Sequence, residues 1–193
     1  MNNSLKQKKL ESEAKVHSKE IYKGKIFTLR QETLQFDALP PHNWDLIIHP
    51  GAVALIPINS KGNLLLIQQW RRALQKIIYE IPAGTLHDLE PPLECAAREL
   101  QEEIGFKANT LIPFGGFYSA PGFCNEYIHL FIAKNLEESP LPPDLHEAID
   151  VVEMTLDQAL ELIDNNQIQD AKTICALLRY QRWIFLSGYQ KNA

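Results

Sequence analysis

The sequence predicts an α+β fold in which a main domain follows a small N-terminal β unit. The chain has 193 residues, enough for one ordinary domain and a small appendage. Hydrophobic residues make up 45% and charged residues 22%, which is typical of globular proteins and excludes a disordered chain, a collagen-like fibre or a coiled coil. Predicted strands outnumber predicted helices and follow one another in irregular order, which favours α+β over a repeated βαβ pattern.

The strands are predicted from segments rich in β-forming residues and from short apolar runs. They cover residues 25–36, 44–49, 51–57, 63–69, 111–118, 126–133 and 151–154. Between the third and fourth, Asn59-Ser60-Lys61-Gly62 is typical of a hairpin turn. Helices are predicted over residues 93–104, 156–164 and 171–186. The polar first 15 residues predict a flexible, solvated lead-in. We expect a boundary near Leu46, with residues 1–45 as the N-terminal β unit and residues 46–193 as the main domain.

Charge, cysteine content and hydropathy exclude several classes of protein. The net charge of −5 argues against broad binding of nucleic acid, because that requires a basic surface. Three cysteines without a Cys-x-x-Cys pair argue against a disulfide framework. There is no apolar run of 18 residues, and the polar N-terminus lacks the apolar core of a signal peptide. We therefore expect a cytoplasmic protein with no membrane or nucleic-acid partner.

Residues 84–106 predict a helix with one acidic side. Pro91 and Pro92 are compatible with a first helical turn, and Gly105 with a helix end. At about 100° per residue, three glutamates share one side of the helix. They are Glu99, Glu102 and Glu103. The neighbouring apolar face consists of Leu93, Ala96, Ala97, Leu100 and Ile104.

The acidic side is unfavourable for a helix by itself. Glutamates three and four residues apart repel each other, and no lysine occurs in this segment to offset the repulsion. A divalent cation such as Mg²⁺, which takes oxygen ligands and retains waters and substrate phosphates, would relieve it. The alternative interpretation is an acidic face that is simply solvated.

The spacing within the segment follows the pattern G-x5-E-x7-R-E-U-x-E-E-x-G-U, where U is a bulky apolar residue. The matching residues are Gly84, Glu90, Arg98, Glu99, Leu100, Glu102, Glu103, Gly105 and Phe106. This pattern resembles the Nudix box, the signature of the Nudix hydrolases, with no departure. The resemblance implies an α/β/α sandwich with a mixed sheet and the box as a loop–helix–loop. It also implies hydrolysis, dependent on Mg²⁺ or Mn²⁺, of a nucleoside diphosphate linked to another moiety.

Several box residues take metal-binding roles by this resemblance. Glu99 and Glu103 are implied as the principal metal ligands, with Glu102 assisting. Gly84 is implied to let the backbone turn, so that the Ala83 carbonyl points at a metal.

A second role implied by the resemblance concerns the one arginine of the box. Arg98 is implied to hold Glu90 or a neighbouring carboxylate in place, and we group it with Glu102 among the catalytic residues.

The segments around the box are similar to the ADP-ribose pyrophosphatase branch of the family, over roughly residues 22–182. They are Gly51-Ala52-Val53, Gln69-Trp70-Arg71, Glu80-Ile81-Pro82-Ala83-Gly84 and Ser119-Ala120-Pro121-Gly122-Phe123, followed by Glu126. The similarity implies hydrolysis of ADP-ribose to AMP and ribose 5-phosphate. Relatives with the same flanks act on GDP-mannose or other nucleotide sugars, so that substrate is the alternative.

Candidate substrate-binding residues lie outside the box. Arg71 is a candidate phosphate clamp, because a guanidinium pairs with phosphate in a bidentate fork. Phe27 and Trp44 are candidates for an aromatic clamp on adenine, and Pro121 and Gly122 lie in the matching flank. The alternative for Arg71 is an ordinary surface arginine at a strand end, and the alternative for the two aromatic residues is packing in the core or at an interface. The resemblance implies that the N-terminal β unit forms a homodimer.

A general base must come from outside the box if metal occupies the box carboxylates. In the resembling enzymes it is often a glutamate on a loop before a short strand, and Glu147 in Asp144-Leu145-His146-Glu147-Ala148-Ile149 matches it. Some relatives carry two acids spaced Glu-x-Glu, whereas this chain has Leu145 at the first position. The alternative is one more solvated acid on a loop.

A third function from another class is a catalytically silent Nudix domain that senses such ligands. Silent domains usually lose box glutamates, whereas this chain keeps them all. The chain has no G-x4-G-K-[ST] phosphate-binding loop and no His-Glu-x-x-His zinc motif, which argues against those two enzyme classes.

Overall fold

The computed structural model describes residues 2–142 and 148–190, and side chains as far as residue 187. The chain divides into two compact units, residues 1–50 with 118–126 and residues 51–117 with 127–193. Helices and strands occur together in irregular order, so the predicted α+β class is confirmed.

The first unit contains an antiparallel three-stranded sheet in the order β1-β2-β3. Its elements are α1 (Asn3–Glu13), β1 (Lys15–Lys23), β2 (Thr28–Gln35) and β3 (His42–Ile48). The sequence predicted strands at β2 and β3, but neither α1 nor β1. Both missed elements are rich in polar residues; β1 is exposed along its whole length, and α1 is exposed except at Leu10 and Glu11, which are half-buried. The expected lead-in is therefore an exposed helix, capped by the Asn2 side chain, followed by a strand.

Residues 118–126 belong to the first unit although they are distant from it in sequence. The Ile47 N–H donates to the Phe123 carbonyl at 2.7 Å, and the Asn125 N–H donates to the Ile47 carbonyl at 3.2 Å. The Asn125 side chain also accepts a bond from the His49 N–H. The predicted division at residues 45 and 46 did not include this loop, because its hydrogen bonds join residues more than 70 positions apart.

The second unit contains two sheets, with strand orders β7-β4-β9-β8 and β10-β5-β6. Its strands include β4 (Ala52–Pro57), β5 (Leu64–Arg71), β6 (Lys76–Glu80), β7 (Ala83–Thr85), β8 (Phe106–Tyr118), β9 (Tyr127–Glu138) and β10 (Ile149–Met154). Its helices include α2 (Pro92–Ile104), α3 (Leu156–Asp164) and α4 (Ala171–Gln190). The first sheet is mixed, because β4 pairs with β9 in parallel and with β7 in antiparallel.

Alternate residues of β4 enter two different hydrophobic clusters. Val53 and Leu55 pack with the apolar face of α2, whereas Ala54 and Ile56 pack with residues of α3 and α4. This alternation is the period-two pattern of a strand with both faces buried. The helices therefore cover opposite faces, as a sandwich of α, β and α layers requires.

The turn predicted between β4 and β5 is confirmed, but the strands do not continue as a hairpin. The Asn59 side chain accepts bonds from the N–H groups of Lys61 and Asn63, and Gly62 has φ +84°. Beyond a single bridge between Ile58 and Leu64, the two strands enter different sheets. The turn could be predicted because its hydrogen bonds are local, whereas the strand that each of β4 and β5 pairs with depends on β9 and β10, which lie far along the chain.

Helix α2 has the ends that its sequence predicts. Pro91 and Pro92 lie at its start, and Gly105 ends it in the left-handed conformation with φ +77°. Of the predicted apolar face, Ala96, Leu100 and Ile104 are buried, but Leu93 is half exposed. None of the helices in the described ranges is long and apolar enough to cross a membrane.

Candidate active site

Helix α2 directs two carboxylates onto the backbone of the short strand β7. Glu99 and Glu103 lie one helical turn apart, and each is only 9% exposed. Glu103 accepts a hydrogen bond from the Ala83 N–H at 2.8 Å. The carboxylate of Glu99 lies against Gly84. The structure thus brings Glu99 and Glu103, the implied principal metal ligands, to the Ala83-Gly84 backbone.

Gly84 is needed for close approach rather than for a special backbone angle. A Cβ at this position would lie 1.9 Å from the carboxylate carbon and one oxygen of Glu99. Its φ is not among the positive values in the chain, so the expected role in turning the backbone does not account for the glycine. The absence of a side chain leaves the space that the Glu99 carboxylate occupies.

Arg98 links several carboxylates around α2. Its Nε and Nη2 donate to the two oxygens of Glu90 at 2.9 and 3.0 Å, a bidentate fork. Its Nη1 donates to Glu99 at 2.6 Å and to Glu102 at 2.7 Å. The hydrogen bond from Arg98, helped by the His87 N–H, lowers the pKa of Glu90 to about 2. The expected contact of Arg98 with Glu90 is therefore present, and extends to two further glutamates.

The guanidinium is also anchored on its other side. Its Nη2 lies 3.5 Å from the Thr85 carbonyl and 3.3 Å from the Cys95 sulfur. Burial, reinforced by the Glu90 and Glu99 charges, raises the pKa of the Cys95 thiol, so this cysteine stays protonated. Arg98 is consequently a junction between α2, its preceding loop and β7.

The oxygen donors around α2 fit a hard divalent cation in chemistry. Carboxylate oxygens come from Glu99, Glu102 and Glu103, and such ligands suit Mg²⁺ or Mn²⁺. Within the described parts of the chain, no three acidic, histidine or cysteine side chains already converge into a metal site. These carboxylates are held apart, because Arg98 bonds both Glu99 and Glu102 and because Glu103 accepts a hydrogen bond from the Ala83 N–H.

Arg71, the candidate phosphate clamp, forms a fork with a buried acid that the sequence analysis did not assign. Its Nε donates to Glu80 at 2.5 Å and its Nη2 to the other oxygen at 2.8 Å. The Glu80 side chain is 1% exposed, and Lys172 of α4 contacts it as well. The only sequence signal was the position of Glu80 within the Glu-Ile-Pro-Ala-Gly flank.

The other substrate-binding candidates belong to the first unit. Phe27 and Trp44 are 39% and 36% exposed, with Trp44 in edge contact with His42 at 4.9 Å between ring centroids. Pro121 and Gly122 lie on the exposed loop after β8, and Pro121 lines an apolar cavity of about 330 Å³ in that unit. That volume is at the lower end of the range for small-molecule pockets.

Glu147, the candidate general base, lies outside the described residues, which resume at Ala148 immediately before β10. Its assignment stays a prediction.

Curated relatives resemble this chain over most of its length. An ADP-ribose pyrophosphatase of Bacillus subtilis is 36% identical over 167 residues, which is 86% of this chain and 90% of that protein. A methanol dehydrogenase activator of Bacillus methanolicus is 36% identical over 171 residues, covering 88% and 92%. A GDP-mannose pyrophosphatase of Cronobacter sakazakii is 34% identical over 140 residues, covering 68% and 73%.

The fold and the family agree with these relatives. A crystal structure of an ADP compounds hydrolase superposes with a TM-score of 0.80 at 23% identity, covering 91% of this chain and 96% of that one. The model of the NUDIX domain matches residues 48–177, which contain α2 and its carboxylates. This chain therefore belongs to the Nudix family.

Proposed function

We propose that this protein hydrolyses the diphosphate bond of ADP-ribose, with one water consumed and AMP and ribose 5-phosphate released. The observation that carries the proposal is the pair of buried carboxylates, Glu99 and Glu103, held against the backbone of β7. Arg98 shares one positive charge among Glu90, Glu99 and Glu102, so a divalent cation would compensate the negative charge that remains at this pair. The similarity to an ADP-ribose pyrophosphatase supports the choice of substrate.

Glu99 and Glu103 would hold a divalent cation, with Glu102 assisting and the Ala83 carbonyl as a further oxygen donor. We propose Mg²⁺, which Mn²⁺ could replace, because the donors are oxygens. Such an ion supplies neutralisation of the diphosphate charge and lowers the pKa of a bound water.

The remaining roles fall to side chains with defined partners. Arg98 orients Glu90, Glu99 and Glu102 through its hydrogen bonds. Arg71, 39% exposed beside its Glu80 partner, binds the diphosphate.

Roles for the remaining candidates stay predictions from the sequence. They are Glu147 as general base, Phe27 and Trp44 as contacts to adenine, and Pro121 and Gly122 as substrate contacts. The homodimer and the cytoplasmic location also remain predictions.

A substrate panel with Mg²⁺ tests the proposed activity. ADP-ribose, GDP-mannose, UDP-glucose, diadenosine polyphosphates, NADH and 8-oxo-dGTP are compared, with products identified by mass spectrometry. We expect the highest kcat/KM for ADP-ribose, with AMP and ribose 5-phosphate in equal amounts. Faster release of GMP and mannose 1-phosphate from GDP-mannose would show that GDP-mannose, not ADP-ribose, is the preferred substrate. The similarity to a GDP-mannose pyrophosphatase makes this the alternative to test. No turnover of any compound would favour the silent sensing domain.

Gly84→Ala is expected to weaken metal-ion binding while the protein still folds. The added methyl overlaps the end of the Glu99 side chain, which can rotate away at little cost to the fold. We expect the free energy of unfolding to change by less than about 1 kcal/mol and the Mn²⁺ affinity to fall by about 10-fold or more. Calorimetric titration with Mn²⁺ and urea unfolding measure the two quantities. Unchanged Mn²⁺ affinity would show that Glu99 does not need its present position.

Glu147→Gln is expected to lower kcat by about 100-fold or more, because a general base contributes about 10²–10⁴-fold to a rate. Mn²⁺ affinity should stay unchanged, which separates this variant from those of the metal ligands. Asp144→Asn, in the same sequence segment, is the matched control and should retain full kcat. If Glu147→Gln turns over normally, another residue is the base.

A further inference from the structure

An ionic network around the buried Glu80 carboxylate joins the ends of β5 and β6 to the start of α4. We name it the Glu80 network; its members are Arg71, Glu80, Asp170, Lys172 and Thr173. Lys172 contacts the same Glu80 oxygen that accepts the Arg71 Nη2 bond, and it lies 3.0 Å from Asp170. The network therefore spans residues about 100 positions apart in the chain.

The α4 end of the network is rigidly anchored. Asp170 precedes α4 and accepts bonds from the Thr173 N–H and hydroxyl at 3.0 and 2.5 Å, the pattern of a helix N-cap. The fully buried Thr173 hydroxyl oxygen accepts a bond from the Ile81 N–H at 2.9 Å. Lys172 is thus fixed both by its helix and by the segment that carries Glu80.

Glu80 is charged in spite of its burial. Burial opposes ionisation, but the Arg71 hydrogen bond and the Lys172 charge outweigh it, so the pKa of Glu80 lies below its ordinary value. The hydrogen bond that Arg71 donates to Glu80, reinforced by the Glu80 charge and then by the Glu103 charge, raises the pKa of Arg71. Because this carboxylate is removed from water, the loss of either Arg71 or Lys172 would lower the stability of the folded state.

The network adjoins the carboxylates of α2. Glu80 is three residues before Ala83, whose N–H binds Glu103, and the Glu103 charge also acts on Arg71. The Arg71 side chain is 39% exposed, whereas Lys172 is 14% exposed. Arg71 can therefore meet a solvent-borne anion near α2, whereas Lys172 has little exposed surface and contacts Glu80 and Asp170.

We infer that Lys172 is a positioning residue, which fixes the Glu80 carboxylate so that Arg71 presents its guanidinium to the diphosphate of a nucleoside diphosphate sugar. The inference rests on the proposed function, in which Arg71 binds that diphosphate. Lys172 clamps one Glu80 oxygen, so the carboxylate cannot rotate and the planar fork to Arg71 is kept.

Lys172→Met tests the inference, because it removes the ammonium and keeps most of the side-chain length. We expect KM for ADP-ribose to rise by about 10-fold with kcat within about 2-fold, since binding rather than chemistry is affected. Lys172→Arg should restore most of the affinity. The control is Lys76→Met, because the exposed Lys76 side chain donates to Gln169, in the loop before α4, and its loss should leave both constants unchanged.

A double-mutant cycle separates positioning from a general structural role. In an Arg71→Gln background, Lys172→Met should raise KM by less than about 2-fold, because its effect passes through Arg71. Two results with an active wild-type enzyme would overturn the inference and leave the proposed function standing. One is an additive effect of Lys172→Met and Arg71→Gln on KM, and the other is an unchanged KM in the single Lys172→Met variant. If the wild-type protein neither hydrolyses ADP-ribose nor binds it in calorimetry, the proposed function fails and the inference fails with it.

Discussion

Glu103→Gln is expected to reduce kcat/KM for ADP-ribose by more than about 100-fold at saturating Mg²⁺. Glu103 is buried at 9% exposure and accepts a hydrogen bond from the Ala83 N–H, which holds its carboxylate at the backbone of β7. Glutamine keeps the shape of the side chain but removes the charge. Because even outer partners of a metal site cost about 10–100-fold when replaced, a direct ligand should cost more. Initial rates across a Mg²⁺ titration measure the effect.

The matched control for Glu103→Gln is Glu94→Gln. Glu94 lies on the same helix and is exposed, so its replacement removes the same charge without touching β7. Its rate should stay within about 2-fold of wild type, because exposed substitutions away from a site have small effects. Activity near the wild-type level in Glu103→Gln would contradict the metal-binding role. A loss that excess Mn²⁺ fully restores would instead indicate weakened affinity with intact chemistry.

The elements that could be predicted from the sequence carry local signals. Helix α2 has prolines at its start, an apolar face and a glycine at its end, and α3 has a complete capping box between Thr155 and Gln158. β7 has no such signal, because three residues after Pro82 cannot show a period. It becomes a strand only by pairing with β4, more than 25 positions earlier.

The acidic helix could be predicted because its residues lie within 20 positions of one another and their spacing is fixed by helix geometry. Glu80 could not be assigned, because its partner Lys172 lies 92 positions away on another helix. The reason for Gly84 was also hidden. Only the structure reveals the Glu99 carboxylate in the space where a Cβ would lie.

Arg98 stabilises the folded state through carboxylates that would otherwise repel one another. It is 22% exposed and binds Glu90, Glu99 and Glu102. Because the folded-state pKa of Glu90 is lowered from 4.5 to about 2, mainly by Arg98, its contribution is fully present above about pH 4.5. The contribution is lost as the pH falls through about 2, where Glu90 is protonated in both states.

Arg98→Met is therefore expected to lower the free energy of unfolding by about 2–4 kcal/mol at pH 7 in EDTA, because it leaves partly buried carboxylates without their cation. The difference in the free energy of unfolding between Arg98→Met and wild type should narrow as the pH falls from about 5 towards 2. Protonation of the glutamates removes both their repulsion of one another in the variant and their attraction to Arg98 in the wild type. Urea unfolding at several pH values measures both trends, with Arg72→Met as an exposed control. A loss below about 1 kcal/mol, or one independent of pH, would place Arg98 among ordinary surface ion pairs. Added Mg²⁺ should restore part of the stability in Arg98→Met, because a cation at Glu99 and Glu103 would take over the charge compensation that the arginine supplies.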